Sequence, residues 1–294
     1  YLILEGDTLF FAIALPEEVE QPPVVLIISG SGPTDRDGNS PLMQGKNNSL
    51  QMVAHELAEA GIASVRYDKR GIAASQAAAT SEEELIFDDF VGDAAGWLRQ
   101  LLDDERLGPV FVAGHSEGSL VGMLAAEQLE EDMAGYISIA GMGRPIDTII
   151  VEQIGKQAPF LQEEAARIFT ELKSGTRVDT INPMLMSLFR PSIQPYLISL
   201  LKHHPAEVLA GLDLPSLIVQ GSHDIQVLQL DAERLAAARP GAELLLIEGM
   251  NHVLKDAPAE RMANMAVYSD PELPLSEGLM EGMVKFIRAH AEGG

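Results

Sequence analysis

The sequence predicts an α/β protein, built on a mostly parallel, doubly wound sheet that carries a helical insertion. Three observations predict it. Short apolar runs of strand length recur and end in glycine, as in "PVVLIISGSGP", which suits strands buried on both faces of a parallel sheet. Between them lie segments with apolar residues at helical spacing. From Arg144 to about Glu207 that alternation stops: the stretch is helical in pattern, holds several prolines with Met184 and Met186, and shows no strand.

In order, "YLILEGDTLFFAIALPEEVEQPP" reads as a short hairpin with Gly6-Asp7 at its turn. A buried strand follows over 24–29, then the helix "NNSLQMVAHELAEAG" with a glycine stop. "IASVRYDKRG" is a strand and loop, and "FDDFVGDAAGWLRQLLDD" a helix. A strand over 110–113, a helix over about 117–131 and the strand "GYISIAG" complete the first half. After the insertion come the strand "LPSLIVQG", a helix over 229–239, the strand "AELLLIEG" and a last helix near 276–290. Residues 1–144 and 208–294 are thus expected to form the core, with 145–207 a helical cap laid over the C-terminal edge of the sheet.

Composition narrows the function. The chain has 294 residues, 46% of them hydrophobic, enough for a sizeable core. Its formal net charge of −24 would repel a phosphate backbone, so nucleic acid and anionic membranes are poor partners. No apolar run is long enough to span a membrane. With no cysteine, disulfides, thiol catalysis and Cys-ligated metals are excluded. The chain opens at Tyr1, so a signal peptide would be out of view; a soluble protein, cytoplasmic or secreted, is expected.

The chemistry starts at "VFVAGHSEGSLVGMLAA", residues 110–126. Gly-x-Ser-x-Gly alone is a weak signal, but here it joins a strand to a helix. That junction needs a sharp turn, which flanking glycines permit, and it sets the hydroxyl at a helix N-terminus, where negative charge is stabilised. Ser116 is therefore the candidate nucleophile; the alternative is an ordinary turn serine. A serine needs a base. Of the seven histidines, His252 lies in the loop just past the last apolar strand, at the edge where open α/β sheets bind ligands. His223 is a distant second, and His115 should point away from the Ser116 side chain. Asp224, in the loop after the preceding strand, is the carboxylate expected to orient the base. Asp213 precedes that strand and belongs at the opposite edge. The order Ser116, Asp224, His252 is that of the α/β-hydrolase pattern.

An oxyanion needs N–H donors. The backbone N–H of Glu117 is one candidate. The other comes from "SGSGPTDRDGNS", with Ser31 preferred and Gly32 the runner-up. A phosphate-binding reading of this loop is weak, because neither dinucleotide nor P-loop spacing is present.

The chain resembles the α/β-hydrolase superfamily over nearly its whole length. In particular it is similar to bacterial serine hydrolases that carry "GSGPTDRDGN", "RYDKRG" and "GHSEG" in that order, here at 30–39, 66–71 and 114–118, followed by "GSHDIQV" and "GMNH". The resemblance implies the same triad; the acyl-enzyme chemistry requires no cofactor or metal, and no histidine–carboxylate spacing suggests a metal site. It fixes the chemistry better than the substrate, since carboxylesterases and serine peptidases share it. Two positions depart from the pattern: Ser119 and Ala73 stand where glycines are expected. Asp68, Lys69 and Arg70 read as a structural charge cluster under the site, and Asp35, Arg36 and Asp37 as loop anchors or residues of the pocket mouth.

The leading expectation is an esterase acting on a small or medium ester through an acyl-enzyme, its apolar pocket supplied by the insertion. A peptidase or thioesterase on the same triad stays open. A non-catalytic relative acting as a binding protein is the third reading, disfavoured because all three triad positions hold competent residues. Natural substrate, acyl preference and oligomeric state are not legible.

Overall fold

The computed structural model describes residues 2–4, 7–79 and 81–291. The chain opens with a hairpin of β1 (Leu2–Leu4) and β2 (Asp7–Leu9), paired from Leu2↔Leu9 to Leu4↔Asp7. Asp7 is the first residue of β2, while Gly6, expected at the turn, lies outside the described residues. The rest of the opening segment does something else. β3 (Phe11–Ala14) pairs antiparallel with a later strand and forms one edge of the main sheet.

Along the chain follow β4 (Val24–Ile28), α1 (Ser49–Glu59), β5 (Ala63–Tyr67), α2 (Phe87–Leu102), β6 (Val110–His115), α3 (Glu117–Glu127) and β7 (Gly135–Ile139). A helical run of α4 (Ile146–Gln157), α5 (Gln162–Lys173), α6 (Met186–Phe189), α7 (Gln194–Leu200) and α8 (Pro205–Gly211) separates β7 from β8 (Ser216–Gly221). Then come α9 (Gln229–Ala238), β9 (Glu243–Ile247), α10 (Arg261–Ala266) and α11 (Leu279–Ala291). The seven-stranded sheet runs β3-β5-β4-β6-β7-β8-β9, parallel throughout except at β3.

The continuous apolar runs are explained by two-sided burial. In β4, Val24, Leu26 and Ile28 face a core built with α2, α3 and α9, while Val25 and Ile27 face another built with α1 and α11. β6 repeats the split: Val110 and Val112 on one face, Phe111 and Ala113 on the other. Period-two alternation into two apolar layers leaves no polar face, which is how a doubly wound sheet differs from a half-exposed one.

The inserted helices have a core of their own, centred on Ala165, Ile168, Phe169, Leu172, Phe189 and Leu197. They meet the main body along α2. The Tyr196 ring packs edge-on against Phe87 and Phe90, and Ser199 Oγ accepts the Phe87 N–H at 2.6 Å. Further along, α8 rejoins the main core, where Leu209 is wholly buried. At the entrance, Asp231 of α9 accepts the N–H groups of Gly143 and Arg144 and pairs with the Arg144 guanidinium at 2.8 Å. Every connection that carries a candidate site residue leaves the same edge of the sheet, because β4, β6, β8 and β9 are parallel.

Candidate active site

Ser116 is the single residue between β6 and α3, and it holds φ 54°, ψ −121°. That conformation is costly for a residue with a side chain and persists only when its surroundings enforce it. The enforcement is visible. Its N–H donates to the Ile139 carbonyl at 2.9 Å, and its carbonyl accepts from the Ser119 N–H at 3.0 Å. The glycines are demanded by close approach: a Cβ on Gly114 would lie 2.1 Å from the Gly118 carbonyl oxygen, and one on Gly118 2.5 Å from that of Ile28. Ser119, where a glycine is expected, fits because its hydroxyl bonds those of Tyr136 and Ser138 at 2.6 and 2.8 Å.

Asp224 follows β8 and is buried with every lone-pair direction used. Oδ1 accepts the N–H groups of Gln226 and Val227; Oδ2 accepts Gln220 Nε2 at 3.2 Å and His252 Nδ1 at 2.7 Å. Burial alone would raise its pKa. The charge and hydrogen bond of His252 and the two backbone donors outweigh that and hold the carboxyl below its ordinary value. A carboxylate only accepts, so Nδ1 of His252 carries the proton and Nε2 is the ring's basic nitrogen when neutral.

His252 sits in a tight loop after β9, where the Asn251 side-chain oxygen accepts the N–H groups of Val253 and Lys255. The loop is tied to the serine turn by His115. Its Nε2 lies 2.8 Å from the His252 carbonyl, and the two rings are 4.8 Å apart. Burial first, and then the neighbouring His252, push the His115 pKa down to about 3. His115 is thus neutral, with its proton on Nε2, and donates to that carbonyl. Its side chain serves as a strut between the two loops. Among the described residues the Ser116 hydroxyl makes no hydrogen bond, and the tie between the serine turn and the His252 loop runs through His115, the residue before Ser116.

The loop after β4 passes beside the serine: a Cβ on Gly30 would be 3.2 Å from that of Ser116. Among the described residues, the N–H groups of Ser31 and Glu117 donate to no protein acceptor. The Glu117 side chain is buried, and its Oε1 accepts the Tyr196 hydroxyl at 2.7 Å. Burial raises its pKa, opposed by Lys69 and by Tyr196.

Other candidates are engaged elsewhere. His223 Nδ1 lies 2.6 Å from the Ala257 carbonyl, and Asp213 pairs with Arg239 ahead of β8. The suspected charge cluster separates into three functions. Asp68 accepts the N–H groups of Arg36 and Ala74, Arg70 pairs with Asp93 of α2 at 2.6 Å, and Lys69 reaches the loop after β4. Asp35 accepts the N–H groups of Asp37 and Asn39, and Asp37 pairs with Arg66, so this trio anchors its loop. The roles of His115, Lys69 and Tyr196 were missed by sequence reasoning; only the "RYDKRG" match pointed toward one of them.

A mostly parallel sheet with a strained serine turn after β6, an acid after β8 and a histidine after β9 defines an α/β-hydrolase. The sequence profile described as serine aminopeptidase, S33, matches residues 43–256, a span that contains Ser116, Asp224 and His252. The chain belongs to that family. It is 28% identical to Esterase EstD of Thermotoga maritima over 268 residues, covering 85% of this chain and 60% of the relative, so the chain spans less than two thirds of that protein. Among solved structures, Est1E from Butyrivibrio proteoclasticus, described with ferulic acid bound, superposes with a TM-score of 0.63 at 16% identity, covering 98% of this chain and 96% of its own. A thermophilic esterase from Thermogutta terrifontis superposes with a TM-score of 0.58 at 18% identity, covering 96% and 94%. At these identities the superpositions establish the fold.

Among the described residues, no helix is long and apolar enough to cross a membrane, and no group of three or more His, Asp or Glu is placed to hold a metal ion.

Proposed function

We propose that the chain is a serine hydrolase that cleaves carboxylic esters of small to medium size, with Ser116, His252 and Asp224 as its triad. The observation that carries this reading is the Asp224–His252 hydrogen bond at 2.7 Å, tied through His115 to a serine in a strained turn. A structural serine has no need of such a conformation.

On binding, an ester carbonyl sits against Ser116, and the Ser116 hydroxyl comes within hydrogen-bond reach of His252 Nε2, a bond that in such enzymes is often completed only in the substrate complex. Ser116 Oγ attacks the carbonyl carbon while His252 Nε2 takes its proton. Asp224 stabilises the imidazolium through Nδ1. The carbonyl oxygen becomes an oxyanion facing the N–H groups of Glu117 and Ser31, whose lack of other acceptors costs nothing to redirect. Collapse breaks the C–O bond, and His252 returns the proton to the departing alcohol. Water then repeats the sequence on the acyl-enzyme and releases the acid.

The helices over 145–207 act as a cap. Two contacts tie it to the site: Tyr196 to Glu117, and Gln153 Nε2 to the Gln226 carbonyl at 3.1 Å in the Asp224 loop. Beside the Gln153–Gln226 contact lies a groove of about 550 Å³ that mixes Ile225, Leu228 and Met265 with Glu152, Lys156 and Arg261; neither the triad nor the oxyanion donors line it, so it borders the Asp224 loop and is not itself the pocket at the serine. The ester reading draws on the relatives named esterases, whereas the family's description names an aminopeptidase.

The test is hydrolysis of p-nitrophenyl esters from acetate to decanoate, beside aminoacyl p-nitroanilides, by wild type and Ser116→Ala. Ester turnover with a short-to-medium optimum, abolished in the variant, is expected. Turnover of anilides alone would replace the ester reading with the peptidase one.

A further inference from the structure

Lys69 has no place in the chemistry above, yet it is an unusual residue: a lysine only 4% exposed, with no carboxylate in ion-pair contact among the described residues. Burial, offset in part by Glu117, lowers its pKa to about 8. Its stem runs from the end of β5 past the Phe90 ring, 5.7 Å from Nζ. Nζ donates to two backbone carbonyls, those of Gly30 and of Gly32, the latter at 2.9 Å.

Those two carbonyls flank Ser31. In a trans peptide the C=O and the following N–H point in opposite directions, and no peptide bond among the described residues is cis. Drawing the Gly30 carbonyl toward Lys69 therefore turns the Ser31 N–H away from it. The Ser31 carbonyl is held separately by Thr34 Oγ1 at 2.8 Å, which turns the Gly32 N–H outward in the same way. Gly32 is followed by Pro33, which has no N–H, and its φ of +64° permits the bend. The carbonyls of Gly30 and Gly32 are thus held by Lys69 and that of Ser31 by Thr34, while the N–H groups of Ser31 and Gly32 donate to no protein acceptor among the described residues. Successive N–H groups left free in such a turn form an anion-binding concavity. Gly30, at its rim, abuts Ser116.

We propose that Lys69 is a positioning residue for the oxyanion site, gripping the Gly30 and Gly32 carbonyls so that the Ser31 N–H is preset toward the oxygen that becomes charged. The inference rests on the serine-hydrolase reading and deepens it. Lys69 touches no reacting atom. It fixes donors that would otherwise have to reorganise at the moment of reaction, and preset donors are what make such a site effective.

The test exploits the absence of any other cysteine in the chain. Lys69→Met and Lys69→Cys are compared with wild type, and Lys69→Cys is also alkylated with 2-bromoethylamine under denaturant and refolded, which rebuilds the amine as a thioether isostere. Wild type passes through the same cycle. Rates are expressed per site titrated with a fluorophosphonate, so that a poorly folding variant is judged only on its competent fraction. The expected result is a kcat lower by about 10²–10³-fold in both variants, the loss typical of one oxyanion donor. KM should stay within about threefold, and affinity for a trifluoromethyl ketone, which forms a tetrahedral adduct, should fall with kcat. Aminoethylation should restore most of both. If kcat per titrated site matches wild type, or if the loss lies in KM alone, Lys69 does not preset the donor. Wild type inert toward both esters and fluorophosphonate would instead overturn the hydrolase reading, and this inference with it.

Discussion

Ala73 holds φ +45° in the loop after β5, exposed to solvent, at a position where the family resemblance leads one to expect glycine. The left-handed region costs an L-residue about 1–2 kcal/mol, while glycine gives back about 0.4–1 kcal/mol through unfolded-chain entropy. Ala73→Gly should therefore stabilise the protein by about 0.5–1 kcal/mol, by the difference of those two terms; a fall in urea midpoint would contradict this. His115 makes a second prediction. Its folded pKa of about 3 lies below its ordinary 6.5, so the unfolded chain binds the proton more readily between those values. The stability it contributes is complete above pH 6.5 and is lost as pH falls toward 3, with a slope approaching about 1.4 kcal/mol per unit. Urea unfolding of wild type and His115→Gln from pH 7 down to about pH 4.5, within that titration window, should show a shallower slope in the variant. Equal slopes would mean that His115 does not titrate between the two states.

At the scale of elements, the buried parallel strands and the long helices were legible because their patterns are extreme. β4, β6 and β8 are buried at every position, and α2 repeats its apolar face over sixteen residues. β3 was not legible. It is an edge strand with only intermediate or exposed side chains, so its pattern carries no strong period, and its pairing partner lies some fifty residues away. α10 is six residues long, too short for periodicity to register. The positions proposed as the triad could be read from chain order and placement after strands. The grip of Lys69 and the Tyr196–Glu117 bond could not, since each depends on side chains that meet only after folding. The entrance to the helical segment supplies a prediction at this scale. Asp231, fully buried, holds the Arg144 guanidinium and three backbone N–H groups, those of Gly143, Arg144 and Leu228. Asp231→Ala leaves a guanidinium without its main partner and should cost about 3–5 kcal/mol, read as a urea midpoint shift. A loss below about 1 kcal/mol, the worth of a surface pair, would mean that the pair is only superficial.

Over the whole molecule, 44 acidic residues against 20 basic ones set a negative field that every substrate must cross. Such a field slows the approach of anions and is screened by salt. The p-nitrophenyl hemisuccinate anion should be a poorer substrate than neutral p-nitrophenyl butyrate at low salt. Its kcat/KM should rise toward the neutral ester's as ionic strength climbs from about 0.01 M to 0.3 M, where the Debye length falls from about 30 Å to under 8 Å. An unchanged ratio would place recognition in local contacts, with Arg261 and Lys156 in the groove the first to examine.

The central claim is that the fold holds one activated serine. Its most direct measurement is the intact mass of the folded protein after exposure to a fluorophosphonate, followed by peptide mapping. One adduct per chain, on Ser116, and none in folded His252→Ala on the same timescale is the outcome this account requires. An unmodified folded protein, or an adduct on another serine, would contradict it.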